Sequence, residues 1–490
     1  MLVKKNPNVT LWESILPPGF DKLPPELERV DALLDDDAFF APYAKHFSAF
    51  FGRPSIPIET YLRMMWLKFR YGLGYETLVK EVGDSISWSR FCHISLGQSP
   101  PHPTTLLKIT KRCGSETIAA LNAALLEKAA QNKVLRTDKV RADTTVVEAN
   151  VTYPTDSGLL VKLIGLLTTL VALVHSAGLA SRTPMRDRRR AAGRRARSIS
   201  AHLKLRNDEA KAAVARITAE LADLAESSLK EAGSVLTNAT RAAARSGTEA
   251  SGKAFRALVD LETAMARGTK VLAQAHERLA GGMPESATRL VSLHDPDARP
   301  IKKGRLGKPV EFGYKAQVVD NTDGVIVDHC VHVGAVPDGP LLTPAISRLK
   351  ALVGRAPKAV TADRGYSEAK VETELAALGV TTTVIPKRGR ATAKRRQHEH
   401  GRGFRKLVKW RTGSEGRISY LKRGFGWDRT LLDGIDGATT WCGLGVLTHN
   451  ALKIAALIED RERVREAHRQ GRPRRGAGPP PRPHAKPHAA

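Results

Sequence analysis

Three acidic residues stand where a carboxylate invites a partner. Asp143 lies inside Lys139–Leu160, KVRADTTVVEANVTYPTDSGLL. Val140, Ala142, Thr144 and Val146 fall on one side of this run, and Arg141, Asp143, Thr145 and Val147 on the other. That period of two, rich in β-branched residues, predicts a strand. Asp is a poor strand residue, and a carboxylate facing a sheet costs free energy unless something neutralises it. Arg141 or a metal ion would serve. Asp363 follows the short apolar run Lys358–Thr361, within Ala362-Asp363-Arg364-Gly365-Tyr366. Sites in open α/β sheets gather at the carboxyl ends of strands, although Asp shortly before Gly is also an ordinary turn residue. Glu415 lies in a helical pattern over Phe404–Gly424, with Arg411 four residues before it, Ile418 three after and Lys422 seven after. Those spacings put all four on one helical face. An exposed Arg411–Glu415 pair is the plainer reading, at about 0.3–0.5 kcal/mol.

Acids on a strand, at a strand end and on a helix, in that order, suit phosphodiester chemistry. Acidic oxygens can hold two divalent cations about 3.5–4 Å apart, one activating water or a 3′-hydroxyl and the other stabilising the leaving oxygen. Hard oxygen donors favour Mg²⁺, with Mn²⁺ as substitute, over zinc. Arg411 and Lys422 would hold DNA phosphates near the metals. Glu148 and Asp156, close to the first acid, and Asp338 and Glu399 further on, are weaker candidates because none sits in a comparable context.

The balance of charge points the same way. Among 490 residues, 78 Lys and Arg against 50 Asp and Glu give a formal charge of +28, which favours a polyanionic partner. Aromatics make up only 5% of the chain, so duplex backbone contacts by Arg and Lys fit better than stacking on single strands. A basic ribosomal or membrane-surface protein competes with that reading. Cys92, Cys113, Cys330 and Cys442 are scattered, with no C-x-x-C pair, against a zinc site or a disulfide framework. The N-terminus lacks a signal-peptide core, and Leu159–Val174, interrupted by Lys162, reads as too short to span a bilayer easily. The expectation is a soluble, intracellular protein.

The elements that must position the acids follow from the rest of the chain. Residues 1–35 read as an irregular Pro-rich arm. Residues 36–133 read as short helices with Arg and Lys on their polar faces, suiting a helix-turn-helix-like DNA-binding domain. Helices are expected over Tyr61–Phe69, Tyr75–Val82, Ser87–Ile94 and from Pro103, the last with a Thr cap. Residues 157–293 are Ala-rich with i,i+4 charge pairs and read as a helical insertion. Its cluster at Arg188, Arg189 and Arg190 is a candidate phosphate contact, or a solvated face. Strands are expected over Val310–Asp320 and Val325–Gly334, joined by a hairpin turn at 321–324, and over Val380–Pro386. Helices are expected over Leu341–Val353, Ser367–Leu378 and Asp436–Ile458, with Arg388–Arg402 as a basic loop. Residues 459–490 read as a basic, Pro-rich, disordered tail. The pattern over 134–156 and 294–458 predicts an α/β domain, a mixed sheet with flanking helices.

RADTTVVEANVTYPTDSGLL around Asp143, VTADRGYSE around Asp363 and RTGSEGRISYLKRGFGWDR around Glu415 together resemble a DDE transposase of a bacterial insertion sequence. The last segment resembles the Y-R-E-K signature through Arg411, Glu415 and Lys422, with Val408 where the family has Tyr. PSIPIETYLRMMWLKFRYGLGYETLVKEV resembles the family's N-terminal helical domain. The resemblance covers most of 40–455, loosely in the insertion. It implies an RNase H-like catalytic domain, with Asp143, Asp363 and Glu415 as catalytic metal ligands. It also implies binding to terminal inverted repeats, Mg²⁺-dependent cleavage and strand transfer to target DNA, and a homodimer or larger synaptic assembly in the bacterial cytoplasm, at the nucleoid. A nuclease of the same fold, or an inactive DNA-binding regulator, is the alternative.

Overall fold

The structure is a computed structural model that describes residues 1–6, 22–205, 207–245, 252–303 and 307–470. Residues 7–21 of the expected arm and 471–490 of the expected tail lie outside that description. In chain order the first elements are α1 (Pro25–Leu34), α2 (Ile58–Tyr71), α3 (Tyr75–Asp84), α4 (Ile86–Phe91), α5 (Pro103–Gln131) and β1 (Lys139–Glu148). Next come α6 (Asp156–Ser176), α7 (Arg189–His202), α8 (Asp208–Arg245), α9 (Gly252–Leu279), β2 (Arg299–Lys302), β3 (Val310–Asn321) and β4 (Ile326–Val333). The chain closes with α10 (Gly339–Val353), β5 (Ala359–Thr361), α11 (Ala369–Leu378), β6 (Thr382–Val384), α12 (Ala393–His400), α13 (Arg402–Arg411), α14 (Gly413–Gly424) and α15 (Gly434–Arg469). It is an α/β protein, rich in helix, with a mixed sheet. Contacts divide it into two units, residues 1–148, 314–332 and 336–490, and residues 149–313 and 333–335.

In the first unit, α1 to α5 share one apolar core with α15, including Tyr61, Trp66, Phe91, Leu121, Trp441 and Leu447. α2 is buried from Ile58 to Phe69. Its bases therefore do not line an outward polar face, as the sequence suggested. Arg63 donates to Asp31 at 2.6 Å, and Lys68 donates to the Leu73 carbonyl at 2.9 Å beneath the Trp441 ring. Burial lowers the Lys68 ammonium to about 8. α1 lies where an irregular arm was expected: Pro25 occupies a position at the helix start that needs no amide, and Leu27, Val30, Leu33 and Leu34 bury one stripe. At the start of α5, His102 rather than a Thr supplies the cap, accepting from the Thr104 amide.

The strands of this unit run in the order β3-β1-β5-β6, with β4 also paired to β3; β1–β5 and β5–β6 are parallel. Val140 and Ala142 enter an apolar cluster with Leu342 and Ile346 of α10 and Val371 and Leu375 of α11. α13 packs on β5 and β6, and α14 on β1. Three expectations are corrected here. The basic stretch 388–402 contains a helix, α12, whose start is capped by the Thr392 hydroxyl. The helix expected over Phe404–Gly424 is two, broken at Thr412. The last helix continues through the start of the expected tail to Arg469.

In the second unit, α6 to α9 pack around Leu160, Leu163, Leu167, Leu221 and Leu261. α9 comes close enough that a Cβ at Gly268 would lie 2.6 Å from Leu163 Cδ1. β2, absent from the sequence reading, pairs antiparallel with Val310–Gly313. α6 and α15 are long and apolar enough to cross a membrane by length and composition. The apolar run Leu159–Val174 lies within one helix of 21 residues, and its apolar stripe lies in the cluster just named.

Candidate active site

The alternation along β1 decides which side chains meet. With Val140 and Ala142 committed to the apolar cluster, Arg141 and Asp143 emerge on the opposite face, towards α13 and α14. The parallel β1–β5 ladder ends with Arg141 beside Thr361; Asp143 and Asp363 each follow two residues later, near enough for the Asp363 charge to act on Asp143. Asp143 is 9% exposed and accepts the Thr144 amide at 2.8 Å. Burial, with the nearby charges of Asp363 and Glu415, lifts its carboxyl to about 6, against the opposing Thr144 amide and Arg411. Asp363 accepts the Gly365 amide at 2.8 Å and caps the short turn Arg364–Tyr366, so the turn and the site share one carboxylate.

Glu415 reaches the site differently from the sequence expectation. Arg411 ends α13 and Glu415 lies in the first turn of α14. Ile418 is buried whereas the Glu415 side chain is 71% exposed, so the four residues do not share a single face. Arg411 joins the two acids: its guanidinium lies 3.5 Å from Asp143 and 3.7 Å from Glu415. Lys422 donates to the Val146 carbonyl at 2.6 Å, tying α14 to β1.

The break between α13 and α14 has a physical cause that sequence reasoning missed. Arg141 forms a bidentate pair with the fully buried Asp320 of β3, both bonds 2.8 Å, and donates to the Trp410 carbonyl at 2.7 Å. Its guanidinium fills the space beside residue 413, where a Cβ would overlap it. Gly413 thus admits Arg141, and Arg141 holds the end of α13 that carries Arg411. Arg141 is therefore spent on Asp320, and Arg411 faces Asp143 instead. An acid at the end of an apolar strand is the available signal for Asp320, expected from the sequence as the last residue of that strand and without a partner. Asp320 also takes Arg417 at 3.3 Å. Removing its charge with Asp320→Ala leaves two arginines without their carboxylate, and breaking such a buried pair costs roughly 3–5 kcal/mol. A thermal melt within about 2 °C of the parent would refute this account of the hub.

The other acids have partners. Asp338 binds Lys315 at 2.7 Å and the Thr144 hydroxyl at 2.8 Å, and it crowds Gly365 together with Asp363, nearer the site than its sequence context suggested. Glu148 lies 3.4 Å from Arg429, Asp156 3.0 Å from Arg278 and Glu399 2.8 Å from Arg395. Within the second unit, Arg188 is held by Glu231 and Arg189 by Asp187, while Arg190 is exposed.

Asp143 and Asp363 offer the hard oxygens a divalent cation prefers, and burial above all holds the Asp143 carboxyl above its ordinary value. As placed, no three His, Cys, Asp or Glu side chains among the described residues converge into a metal-binding group. Arg411 occupies the position between Asp143 and Glu415.

Two transposase family models match this chain. The family model described as "Transposase DDE domain" matches residues 288–451, which hold Asp363 and Glu415. The one described as "Transposase domain (DUF772)" matches residues 18–112. Asp143 falls outside both, upstream of the second unit's helices. An "uncharacterized protein ORF8 in nfe locus" of Rhizobium meliloti is 28% identical over 157 residues, 29% of this chain and 76% of that protein. No solved structure matches. Two transposase models over more than half of the chain, one of them the DDE domain itself, make it a member of the DDE transposases of insertion sequences.

Proposed function

We propose that this transposase binds the terminal inverted repeats of its element, cuts at the element boundary and transfers the freed 3′-hydroxyl to target DNA. In this reading Asp143, Asp363 and Glu415 would hold two Mg²⁺ ions on an RNase H-like sheet, and Mn²⁺ could substitute. The bound metals would supply charge for the attacking and leaving oxygens. The protein's part is positional. β1 carries one carboxylate, the turn after β5 the second, and the first turn of α14 presents the third. With the acids engaged by a cation, Arg411 would be available for a DNA phosphate, a natural bidentate partner. Lys422 keeps α14 seated on β1 through Val146. The N-terminal helices and the Arg188–Arg190 cluster provide contacts away from the chemistry. Two ends must be handled together, so the working assembly is a homodimer or larger, acting on the nucleoid in the bacterial cytoplasm.

The observation that supports this reading is the nearness of the Asp363 and Glu415 charges to the buried Asp143, whose carboxyl is raised to about 6, first by burial. It is tested with a labelled duplex that carries the element's end and its flank. Nicking at the boundary in Mg²⁺, abolished by EDTA, is the expected result. Cutting without joining when target DNA is added would leave a nuclease. Tight binding with no cutting in Mg²⁺ or Mn²⁺ would leave a DNA-binding regulator.

A further inference from the structure

α12 and α13 carry a charge pattern that the three acids do not use. α13 buries Phe404 and half-buries Leu407, Val408 and Arg411, which are three, four and seven residues apart and so form one stripe. Arg402, Arg405, Lys406 and Lys409 form the opposite stripe and are all exposed. α13 contains no acid. On α12, Arg395 turns inward to Glu372, Glu399 and the Ile385 carbonyl, and so fastens that helix to the body. Its neighbours Lys394 and Arg396 are exposed. Among the described residues, none of these six outward cations lies in an ion pair with an acid.

An acid-free row of unpaired cations on a fixed helix needs an anion. On the inward stripe of the same helix, the Arg411 guanidinium lies against Asp143 and Glu415. We propose that the outer faces of α12 and α13, through Lys394, Arg396, Arg402, Arg405, Lys406 and Lys409, form the track for the DNA duplex next to the cut phosphate. This rests on the transposase reading above and specifies which surface of the chain holds the substrate. Arg402 and Lys409 are seven residues apart, about 10 Å along a helix. That matches about three base-pair steps of duplex at 3.4 Å each. An acidic protein surface would also satisfy the charge. That the helix bearing the row also sets Arg411 against the acids favours the polyanion that those acids would cut.

The test uses the full chain with R402Q, R405Q, K406Q and K409Q combined. Gln keeps the helix propensity, and every buried residue of α13 is retained, so the melting temperature should stay within about 2 °C. Binding of a fluorescein-labelled duplex spanning the element's end and flank is followed by anisotropy against salt. Each lost phosphate contact lowers the log–log salt slope by about 0.9, so the four together should lower it by about 3–4. Hydroxyl-radical footprints should lose protection within roughly three base pairs of the cut and keep it elsewhere. An unchanged slope and footprint, with the parent still binding and cutting, would overturn the track and leave the transposase reading standing. A parent that neither binds nor cuts this duplex would overturn both.

Discussion

Asp143→Asn and Asp363→Asn each reduce cleavage at the element boundary by about 10³-fold or more, while binding to the same duplex stays within a few-fold of the parent. The sizes follow from the roles proposed for the two carboxylates. Losing a ligand that holds a catalytic cation costs several kcal/mol of transition-state stabilisation, and each 1.36 kcal/mol is a factor of ten in rate. Binding survives because neither side chain is a cation: the phosphate contacts come from Arg and Lys. The substitution is also local. Asn at 143 can still accept the Thr144 amide, and Asn at 363 can still cap the turn through the Gly365 amide. Asp156→Asn provides the contrast. That carboxylate pairs with Arg278 in the second unit, so its removal should change cleavage by no more than a few-fold. The measurement is single-turnover cleavage of the labelled duplex at saturating protein. Cleavage by Asp143→Asn within tenfold of the parent would remove Asp143 from the proposed metal site.

How much of this site could be read from the chain depends on whether each residue's surroundings are local. Asp143 was legible because β-branched alternation marks its strand and an acid is out of place there. Asp363 was legible because a short apolar run ends in Asp-Arg-Gly, a strand followed by a turn. Glu415 was legible as a helix residue, but its setting was not. The break at Thr412 depends on Arg141 entering beside Gly413, and Arg141 is placed by Asp320, 179 residues away along the chain. No window of sequence contains that arrangement. α12 was hidden for a different reason. AKRRQHEH has no apolar stripe, so periodicity is silent. Its helix is held by the Thr392 cap and by Arg395 gripping Glu372 and Glu399. α1 was masked by prolines that read as loop but start the helix. The mixed α/β class needed only the order of elements, whereas the extra strand β2, four residues long, carried too little pattern to find.

The same carboxylate that the chemistry needs should weaken the metal-free protein, and this can be measured without any DNA. In the folded chain the Asp143 carboxyl sits at about 6 against its ordinary 3.8, pushed up first by burial and then by Asp363 and Glu415. The folded state therefore holds this proton more tightly than the unfolded chain does. A group raised in this way lets stability fall as pH climbs from the unfolded value through the folded one, and above about 6 the full cost is present. Asn at 143 bears no charge and escapes that cost. Metal-free Asp143→Asn should thus be more stable than the parent by about 1.6 kcal/mol at pH 5 and by up to about 3 kcal/mol at pH 7.5, converging near pH 4. Denaturant melts in EDTA across that range read the difference directly. Adding Mg²⁺ at pH 7.5 should then reverse the order. A cation that binds only the folded parent stabilises it by about 2.7 kcal/mol at a hundred times its dissociation constant, and Asp143→Asn should gain far less. Asp338→Asn separates this from a general effect of removing an acid. Asp338 already has Lys315 at 2.7 Å, so its loss should destabilise the protein with or without the cation. If Asp143→Asn is instead less stable than the parent at pH 7.5 in EDTA, Asp143 is a structural partner of Arg411, and the place proposed for a cation is already filled by that guanidinium.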